Sequence, residues 1–223
     1  MIKKIFLSGI IFTVVSCSSY QPISDSEREK IISELSYIRN IDQEYASLPP
    51  KEMMEKYGEK NAWKVFETKR DSVGKDNQSR IKRLYAEYGY LGFKQVGEAN
   101  ATKFWISIQH ADDDVGFQRT MLKAMKKEIG KKNAHKNEYA MLEDRVAINS
   151  GQKQRFGTQV TYNKAEQAVP KNGLTDSMNV DKLRVEYGLP SFKEYYNQMT
   201  TMHFEMNKKI FQKRGIMEPK LYK

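Results

Sequence analysis

Two Ser-x-x-Glu sequences, each followed by apolar residues at helical spacing, constrain the fold more than any other feature of the chain. In such a capping box the serine and the glutamate satisfy backbone N–H groups that the first helical turn leaves free. The first box, Ser24 to Glu27, precedes the stripe Ile31, Leu35, Ile38, Ile41 and Tyr45. The second box, Ser191 to Glu194, precedes the stripe Tyr195, Met199, Met202, Met206 and Ile210. Both segments are therefore predicted to be long amphipathic helices.

The segment between these two helices is predicted to be helical for most of its length. Apolar residues at helical spacing predict shorter helices over residues 51–57, 62–72, 77–88, 101–111, 115–129, 133–148 and 181–187. Gly74 is expected to separate two of them as a helix break. After Arg155 the sequence FGTQVTY alternates in polarity, which predicts a short β-hairpin or an extended arm. The predicted fold class is therefore mainly α, a single helical domain over residues 24–223 with that small β element after its middle.

The first 17 residues resemble a bacterial lipoprotein signal. A basic start precedes the apolar run Ile5 to Val15, which is too short to span a bilayer. The Val-Val-Ser-Cys sequence that ends at Cys17 is similar to a lipobox, whose cysteine receives a diacylglycerol. The resemblance implies that residues 1–16 are a cleaved signal peptide and that residues 17–23 are a lipidated tether. An ordinary secretory signal and a short buried helix are the alternatives.

Cys17 is the only cysteine in the chain, so a disulfide within the monomer is impossible. Acyl chains on this residue would hold the protein on a lipid bilayer essentially permanently. Ser18 and Ser19 follow the cysteine, where many lipoproteins retained at the inner membrane carry aspartate. The outer membrane of a bacterial cell envelope is therefore the expected location.

The formal net charge of +10 restricts the other partners. A basic exported protein is suited to an anionic component of the envelope or to a small polar ligand. Nucleic acid is not an expected partner, because that compartment rarely offers it. In addition, the basic stretch from Arg119 to Lys136 lacks the aromatic residues that stack on bases.

The sequence WISIQHADDDVGFQ places His110 beside three aspartates and is the first candidate site. A carboxylate on one imidazole nitrogen raises the basicity of the other, as a general base or a metal ligand requires. Asp112 could reach the ring across a turn, whereas Asp113 and Asp114 are good caps for the helix that begins near Val115. Capping by all three aspartates is the alternative. The calcium-loop spacing is absent and zinc would need more ligands, so neither a metal nor a cofactor is predicted.

A second polar cluster spans Glu143 to Gln159. Asp144 and Arg145 are adjacent and point to different sides of a helix, so one could orient His110 while the other holds an anionic group. The amides and hydroxyls that follow, including Gln154, suit a pocket for a polar ligand. The alternative is that they satisfy the backbone at a turn.

Taken together, these blocks resemble an uncharacterised bacterial domain family of unknown function. The blocks are WxxxQHAD from Trp105, FQ at 117–118, DRV from Asp144, GxxQxFGTQ from Gly151 and RxxxGL from Arg184, within about residues 89–195. Phe156 stands where this family often has tyrosine, so no phenol can act there. The resemblance implies no activity, substrate or cofactor. It does imply one constellation of eight residues, namely His110, Asp112, Gln118, Asp144, Arg145, Gln154, Gln159 and Arg184.

Two functions follow as hypotheses. In the first, which is favoured because no complete catalytic set is visible, a non-catalytic lipoprotein domain binds a polar or anionic ligand near His110 and Arg145. In the second, a hydrolase uses His110 as a general base that Asp112 or Asp144 orients. The roles assigned are catalytic for His110, Asp112 and Asp144, and ligand-binding for Gln118, Arg145, Gln154, Gln159 and Arg184.

Overall fold

The computed structural model describes residues 22–46 and 48–223, so the predicted signal peptide and Cys17 lie outside the described residues. The described chain is mainly helical with a small antiparallel hairpin after its middle, which confirms the predicted fold class. Its helices are α1 (Asp25–Tyr45), α2 (Lys51–Tyr57), α3 (Glu59–Tyr88), α4 (Phe93–Val96), α5 (Glu98–Gln109), α6 (Val115–Gly130), α7 (Lys136–Asn149), α8 (Val180–Glu186) and α9 (Phe192–Lys213). Its strands are β1 (Val160–Tyr162) and β2 (Ala168–Pro170).

Both predicted capping boxes are present, and they begin α1 and α9. The Ser24 hydroxyl accepts a hydrogen bond from the Glu27 amide at 3.3 Å, and the Glu27 carboxylate accepts one from the Ser24 amide at 2.9 Å. Ser191 and Glu194 repeat the arrangement at 3.3 and 3.0 Å. Each box supplies partners for N–H groups that the first turn cannot satisfy internally, so the two long helices begin where predicted.

The prediction of two helices separated near Gly74 is wrong, because α3 is one helix of 30 residues. A glycine inside a helix costs about 1 kcal/mol relative to alanine, which does not by itself end a helix. Phe66 before the glycine and Ile81 after it are both buried. Packing of α3 against α1, α2 and α5 therefore holds its two halves in one helix.

The predicted apolar stripe of α9 is also wrong. The helix buries a different set, which is Tyr196, Thr200, Phe204 and Phe211. Three members of the predicted stripe are largely exposed, namely Met202 at 49%, Met206 at 82% and Ile210 at 58%. Both sides of this helix carry apolar side chains, so tertiary contacts decide which side is buried. Tyr196 decides it here, because its hydroxyl donates to the Gly157 carbonyl at 2.9 Å and its ring stacks on Phe192.

The main core lies between α1, α3, α5, α6 and α7. Its fully buried side chains include Leu35, Ile38, Ile81, Phe104, Ile108, Met121 and Met125. A smaller apolar cluster consists of Ala140, Phe156 and Leu189. Val160 of β1 pairs with Pro170 of β2, and β2 packs against α9. In the described parts of the chain, no helix combines the length and the apolar character that crossing a bilayer requires.

Candidate functional site

A cleft of about 740 Å³ opens where four parts of the fold meet. Its walls are the C-terminal turn of α1, the middle of α3, the turn between α5 and α6, and one side chain of α7. The lining residues are Asp42, Tyr45, Ala46, Arg70, Asp71, Val73, Gly74, Lys75, His110, Asp112, Asp113 and Arg145. Most of them carry ionisable side chains, so the cleft is suited to a polar ligand.

His110 immediately follows α5 and is held by a carboxylate from another helix. Its Nδ1 lies 2.9 Å from Oδ1 of Asp42, which belongs to the last turn of α1. The packing of α1 against α5 brings the two residues together, although 68 positions separate them in the sequence. In the described chain the other ring nitrogen, Nε2, has no hydrogen-bond partner and is available to a ligand. When Nδ1 donates to the carboxylate, Nε2 becomes the acceptor, which is the form that a base requires.

Asp42 supplies a negative charge behind the histidine ring. Burial alone would raise the pKa of Asp42, but the hydrogen bond and the charge of His110 outweigh it, with smaller effects of Gln43 and Arg39. The pKa of this carboxyl therefore lies below its usual value. The Asp42 side chain is 19% exposed and that of His110 is 45% exposed, so the ring stands between the carboxylate and the solvent.

Asp112 and Arg145 form a second pair across the cleft wall. Arg145 donates to Asp112 through Nε at 2.7 Å and through Nη2, in the bidentate arrangement that best fits a carboxylate. The Asn149 amide donates to the same carboxylate at 2.8 Å, and Arg145 Nη1 donates to Gln159 at 3.0 Å. Burial would raise the pKa of Asp112, but Arg145 and Asn149 outweigh it and hold the pKa below its usual value. The pair is thus an ordered part of the wall.

Gln118 supports this wall from inside the protein. Its amide nitrogen donates to the carbonyls of Ile108 and Gln109 at 3.2 and 3.3 Å, and its oxygen accepts from Asn149 at 3.2 Å. The side chain is fully buried. Gln118 therefore fixes the turn that carries His110 and Asp112, and it cannot contact a ligand in the cleft.

Asp144 is buried beneath the second polar cluster and holds the loop of residues 155–159 that follows α7. Its carboxylate accepts from the backbone amides of Arg155, Phe156 and Thr158 at 2.8, 3.0 and 2.8 Å, and from the Thr158 hydroxyl at 3.0 Å. Burial raises the pKa of Asp144, and these four donors oppose that shift. All four contacts are local to the loop, so Asp144 does not reach the His110 ring.

Gln154 and Arg184 hold the same loop from other directions. The Gln154 amide donates to the carbonyls of Gln159 and Lys171 at 2.7 and 2.6 Å, and it accepts from the Gln159 amide at 2.8 Å. Arg184 donates to the Pro190 and Phe156 carbonyls, both at 2.7 Å, and burial lowers its pKa. Both side chains are fully buried. Gln154 positions Gln159 directly, and Arg184 holds the same loop at Phe156. Gln159 in turn contacts Arg145.

A model of a family of unknown function, DUF6624, matches residues 41–205, which is most of the chain. The chain belongs to the DUF6624 family. The predicted membership of an uncharacterised domain family is therefore confirmed, and the match extends beyond the expected span of about 89–195 in both directions. Neither the curated proteins nor the solved structures contain a match to this DUF6624 chain. All the residues that line the cleft lie inside the matched segment, whereas Cys17 precedes it.

The DUF6624 domain divides the eight predicted site residues into three groups. The cleft is lined by His110, Asp112 and Arg145. Direct support of the Asp112–Arg145 pair comes from Gln118 and Gln159. The buried loop is held by Asp144, Gln154 and Arg184.

Sequence reasoning missed several residues of the cleft in this DUF6624 protein. Asp42 lies on the polar side of a helix far from His110 in sequence, so no local pattern marks it. Arg70 lies in the predicted helix 62–72, and Lys75 lies beside Gly74, where a helix break was predicted. Asn149 ends α7, and its role depends on the turn that approaches it. The described residues include no group of three or more histidine, cysteine, aspartate or glutamate side chains that could hold a metal ion.

Proposed function

We propose that this DUF6624 protein is a bacterial envelope lipoprotein, anchored through acylated Cys17, whose domain binds a polar or anionic ligand in the cleft. The cleft carries the binding proposal: it measures about 740 Å³, and most of its lining side chains are ionisable. The basic start, the short apolar run and the lipobox-like sequence at Cys17 support the anchor. An outer-membrane location is part of this proposal.

The unpaired groups of the cleft indicate what the ligand carries. Arg70 is 46% exposed and its nearest acid, Glu67, is 3.8 Å away, so this guanidinium is only weakly neutralised. The Lys75 ammonium has no partner in the described part of the chain. These two cations on α3 are suited to an anionic group such as a phosphate or a carboxylate. The Nε2 atom of His110, as an acceptor, is suited to a hydroxyl or amine of the same ligand.

The acidic groups of the cleft are suited to hydroxyl or amine groups on the other part of such a ligand. Asp71 lines the same wall as Arg70, and Asp113 accepts a hydrogen bond from Gln78 at 3.2 Å. Carboxylates of this kind accept from hydroxyl and amine groups. A small molecule with one anionic group and several hydroxyls or an amine would therefore satisfy both kinds of side chain.

Replacement of Cys17 tests the anchor. In a bacterial host fed with labelled palmitate, the natural chain should be labelled and should sediment with membranes. Cys17→Ser should leave an unlabelled precursor of higher mass, because no other cysteine can accept the lipid. Ser16→Ala, which keeps a small residue before the cysteine, is the control and should be labelled normally. Palmitate labelling that survives Cys17→Ser would refute the anchor.

Inorganic phosphate is a minimal probe of the cleft. Residues 18–223 retain all the helices and strands of the described structure, so this form can be labelled with nitrogen-15 and titrated. Phosphate should shift backbone amides of residues 70–75 and 110–113 saturably. Arg70→Gln and Lys75→Gln should each weaken binding about tenfold, as expected for loss of a charge-assisted hydrogen bond.

Arg83→Gln is the matched control for the phosphate titration. Arg83 is exposed on the same helix but does not line the cleft, so its loss should leave the affinity unchanged. Shifts spread over the whole basic surface, or an equal effect of Arg83→Gln and Arg70→Gln, would show that phosphate binds without a site.

The His110–Asp42 pair supports a second candidate function, a hydrolase in which His110 activates water. The carboxylate that contacts the ring is Asp42, whereas Asp112 bonds to Arg145 and Asp144 holds a loop. General-base catalysis by a positioned histidine contributes about 10²–10⁴-fold to a rate. Turnover of p-nitrophenyl acetate or p-nitrophenyl phosphate should therefore fall by about that factor in His110→Gln. No turnover in the natural protein, or full turnover in His110→Gln, would remove this candidate and leave the binding proposal standing.

A further inference from the structure

The outward side of α9 carries an apolar stripe edged by lysines. Met202, Met206 and Ile210 follow one another at intervals of four residues and are 49, 82 and 58% exposed. Lys209 and Lys213 are exposed beside them, because positions three, four and seven apart share one side of a helix. These five residues form the α9 outer face.

The fold covers the other side of α9 and leaves this face in solvent. Tyr196, Phe204 and Phe211 point inward and are buried, and α9 packs against β2 and α8. Met206, at 82% exposure, lies on the opposite side of the helix. An isolated exposed methionine is ordinary, but three large apolar side chains in one row mark a surface that contacts another phase or molecule.

The α9 outer face is also positively charged. Glu205 is occupied by Lys208, whose ammonium lies 3.1 Å from the carboxylate. Lys209 and Lys213 have no acidic partner in the residues that the structure describes. Their long apolar stems can lie along the methionines while the ammonium groups remain at a polar boundary. The face therefore combines an apolar centre with two unneutralised cations.

Two kinds of occupant would match an apolar and basic helix face, an anionic bilayer surface and an acidic protein. Protein interfaces are enriched in methionine but depleted in lysine, and they take most of their energy from aromatic and arginine side chains. The outer face has no aromatic residue and no arginine, and its apolar members are flexible or aliphatic. Lysines beside an apolar row are instead typical of helices that lie in a membrane interface, where anionic headgroups meet the acyl chains.

We infer that the α9 outer face docks on an anionic lipid surface, with Met202, Met206 and Ile210 inserted among the headgroups and Lys209 and Lys213 bound to lipid phosphates. This contact goes beyond the proposed anchor, because it uses the opposite end of the chain and requires no acyl group. It would give the domain a fixed orientation on the membrane rather than free rotation about a tether.

Vesicle sedimentation tests the contact without the anchor. Residues 18–223 lack Cys17, so any binding is independent of acylation, and failure of the anchor proposal would leave this result unchanged. This form should sediment with phosphatidylcholine vesicles that contain about one-third phosphatidylglycerol, and much less with pure phosphatidylcholine. Each lysine near an anionic surface contributes roughly a fivefold increase in partitioning, so Lys209→Gln with Lys213→Gln should reduce it on the order of twenty-five-fold.

The apolar part of the face has its own variant and its own control. Met206→Gln with Ile210→Gln should reduce partitioning at least as much as the lysine pair, while both forms keep the circular dichroism of the natural protein. Met178→Gln changes a methionine that is 92% exposed outside α9 and should have no effect. Lys153→Gln with Lys164→Gln removes the same charge from exposed positions elsewhere and should reduce partitioning much less.

Three results would overturn the inference. The first is sedimentation that is absent from anionic vesicles. The second is an equal loss of partitioning in the α9 variants and in their controls, which would show that binding does not depend on this face of the helix. The third is a dimer in analytical ultracentrifugation that Met206→Gln dissociates, because the face would then be an interface between two copies.

Discussion

Asp144→Ala is expected to destabilise the protein far more than replacement of its acidic neighbour Glu143. Asp144 is fully buried and is the acceptor for four donors of the loop that follows the helix. Alanine removes the acceptor and leaves those donors in place. The cost then depends on which donors can reach water.

The burial of each donor gives the magnitude. Arg155 is exposed, so its amide can be solvated, and the Thr158 hydroxyl can rotate to another acceptor. Phe156 is 0% and Thr158 is 6% exposed, so their two amides would stay buried without a partner. An unsatisfied buried donor costs about 1–3 kcal/mol, which gives about 2–6 kcal/mol for the pair. Relief of the buried charge offsets part of this, so about 3 kcal/mol is expected, against a total stability of about 5–15 kcal/mol.

Urea unfolding followed by far-ultraviolet circular dichroism measures this loss. Asp144→Asn keeps one carbonyl oxygen for Arg155 and Phe156 but opposes the Thr158 amide with a donor, so it should cost about half as much. Glu143→Ala is the neighbouring control, since the partly exposed Glu143 contacts the side chains of Arg155, at 3.4 Å, and Tyr139 but no backbone amide of the loop, and it should cost at most about 1 kcal/mol. A loss in Asp144→Ala no larger than that of Glu143→Ala would refute the assignment of Asp144 to the loop.

Three further predictions concern stability. The pKa values of Asp42 and Asp112 lie below the usual value, so the unfolded chain binds more protons in acid than the folded chain does. Thermal melts should therefore show a Tm that falls as the pH drops through about 4. Asp42→Asn should make this dependence of Tm on pH weaker. Gly74→Ala should stabilise α3 by up to about 1 kcal/mol in urea unfolding, since its Cβ would meet nothing within 4 Å. Gly92→Ala should cost more than about 1 kcal/mol in the same assay, because its Cβ would lie 2.3 Å from the Asn133 carbonyl oxygen.

The parts of the fold that local chemistry determines were predictable from the sequence. The serine and glutamate of each capping box lie three residues apart, so the starts of α1 and α9 depend only on neighbours in the chain. The alternation after Arg155 likewise predicted the position of the hairpin. Gly74 shows the limit, because helix continuity there depends on side chains such as Phe66 that pack against other helices.

The site was less predictable because its pairs join distant segments. The pattern around His110 indicated a carboxylate partner, but three aspartates lay close in sequence and the structure supplies a fourth, Asp42. A carboxylate that is close in sequence and one that packing brings near are both able to contact the ring, and the sequence alone does not show which one does. Asp144 was assigned a catalytic role because its carboxylate could orient His110, yet a buried carboxylate beside a loop is equally able to accept hydrogen bonds from backbone amides.

The block pattern that marked eight residues as one constellation has a physical basis even though only three of them line the cleft. Asp144, Gln154 and Arg184 fix the loop that carries Gln159, and Gln159 contacts the guanidinium of Arg145. Buried hydrogen bonds of this kind restrain the residues that make them, although the buried Nη2 atom of Arg184 has no partner among the described residues. The cleft therefore depends on interior residues that no ligand can touch, because a loosened loop would release Arg145 from one of its two partners. If the proposed ligand binds there, a wall that is already ordered reduces the conformational entropy lost on binding, which would be a reason for this domain to retain buried charge.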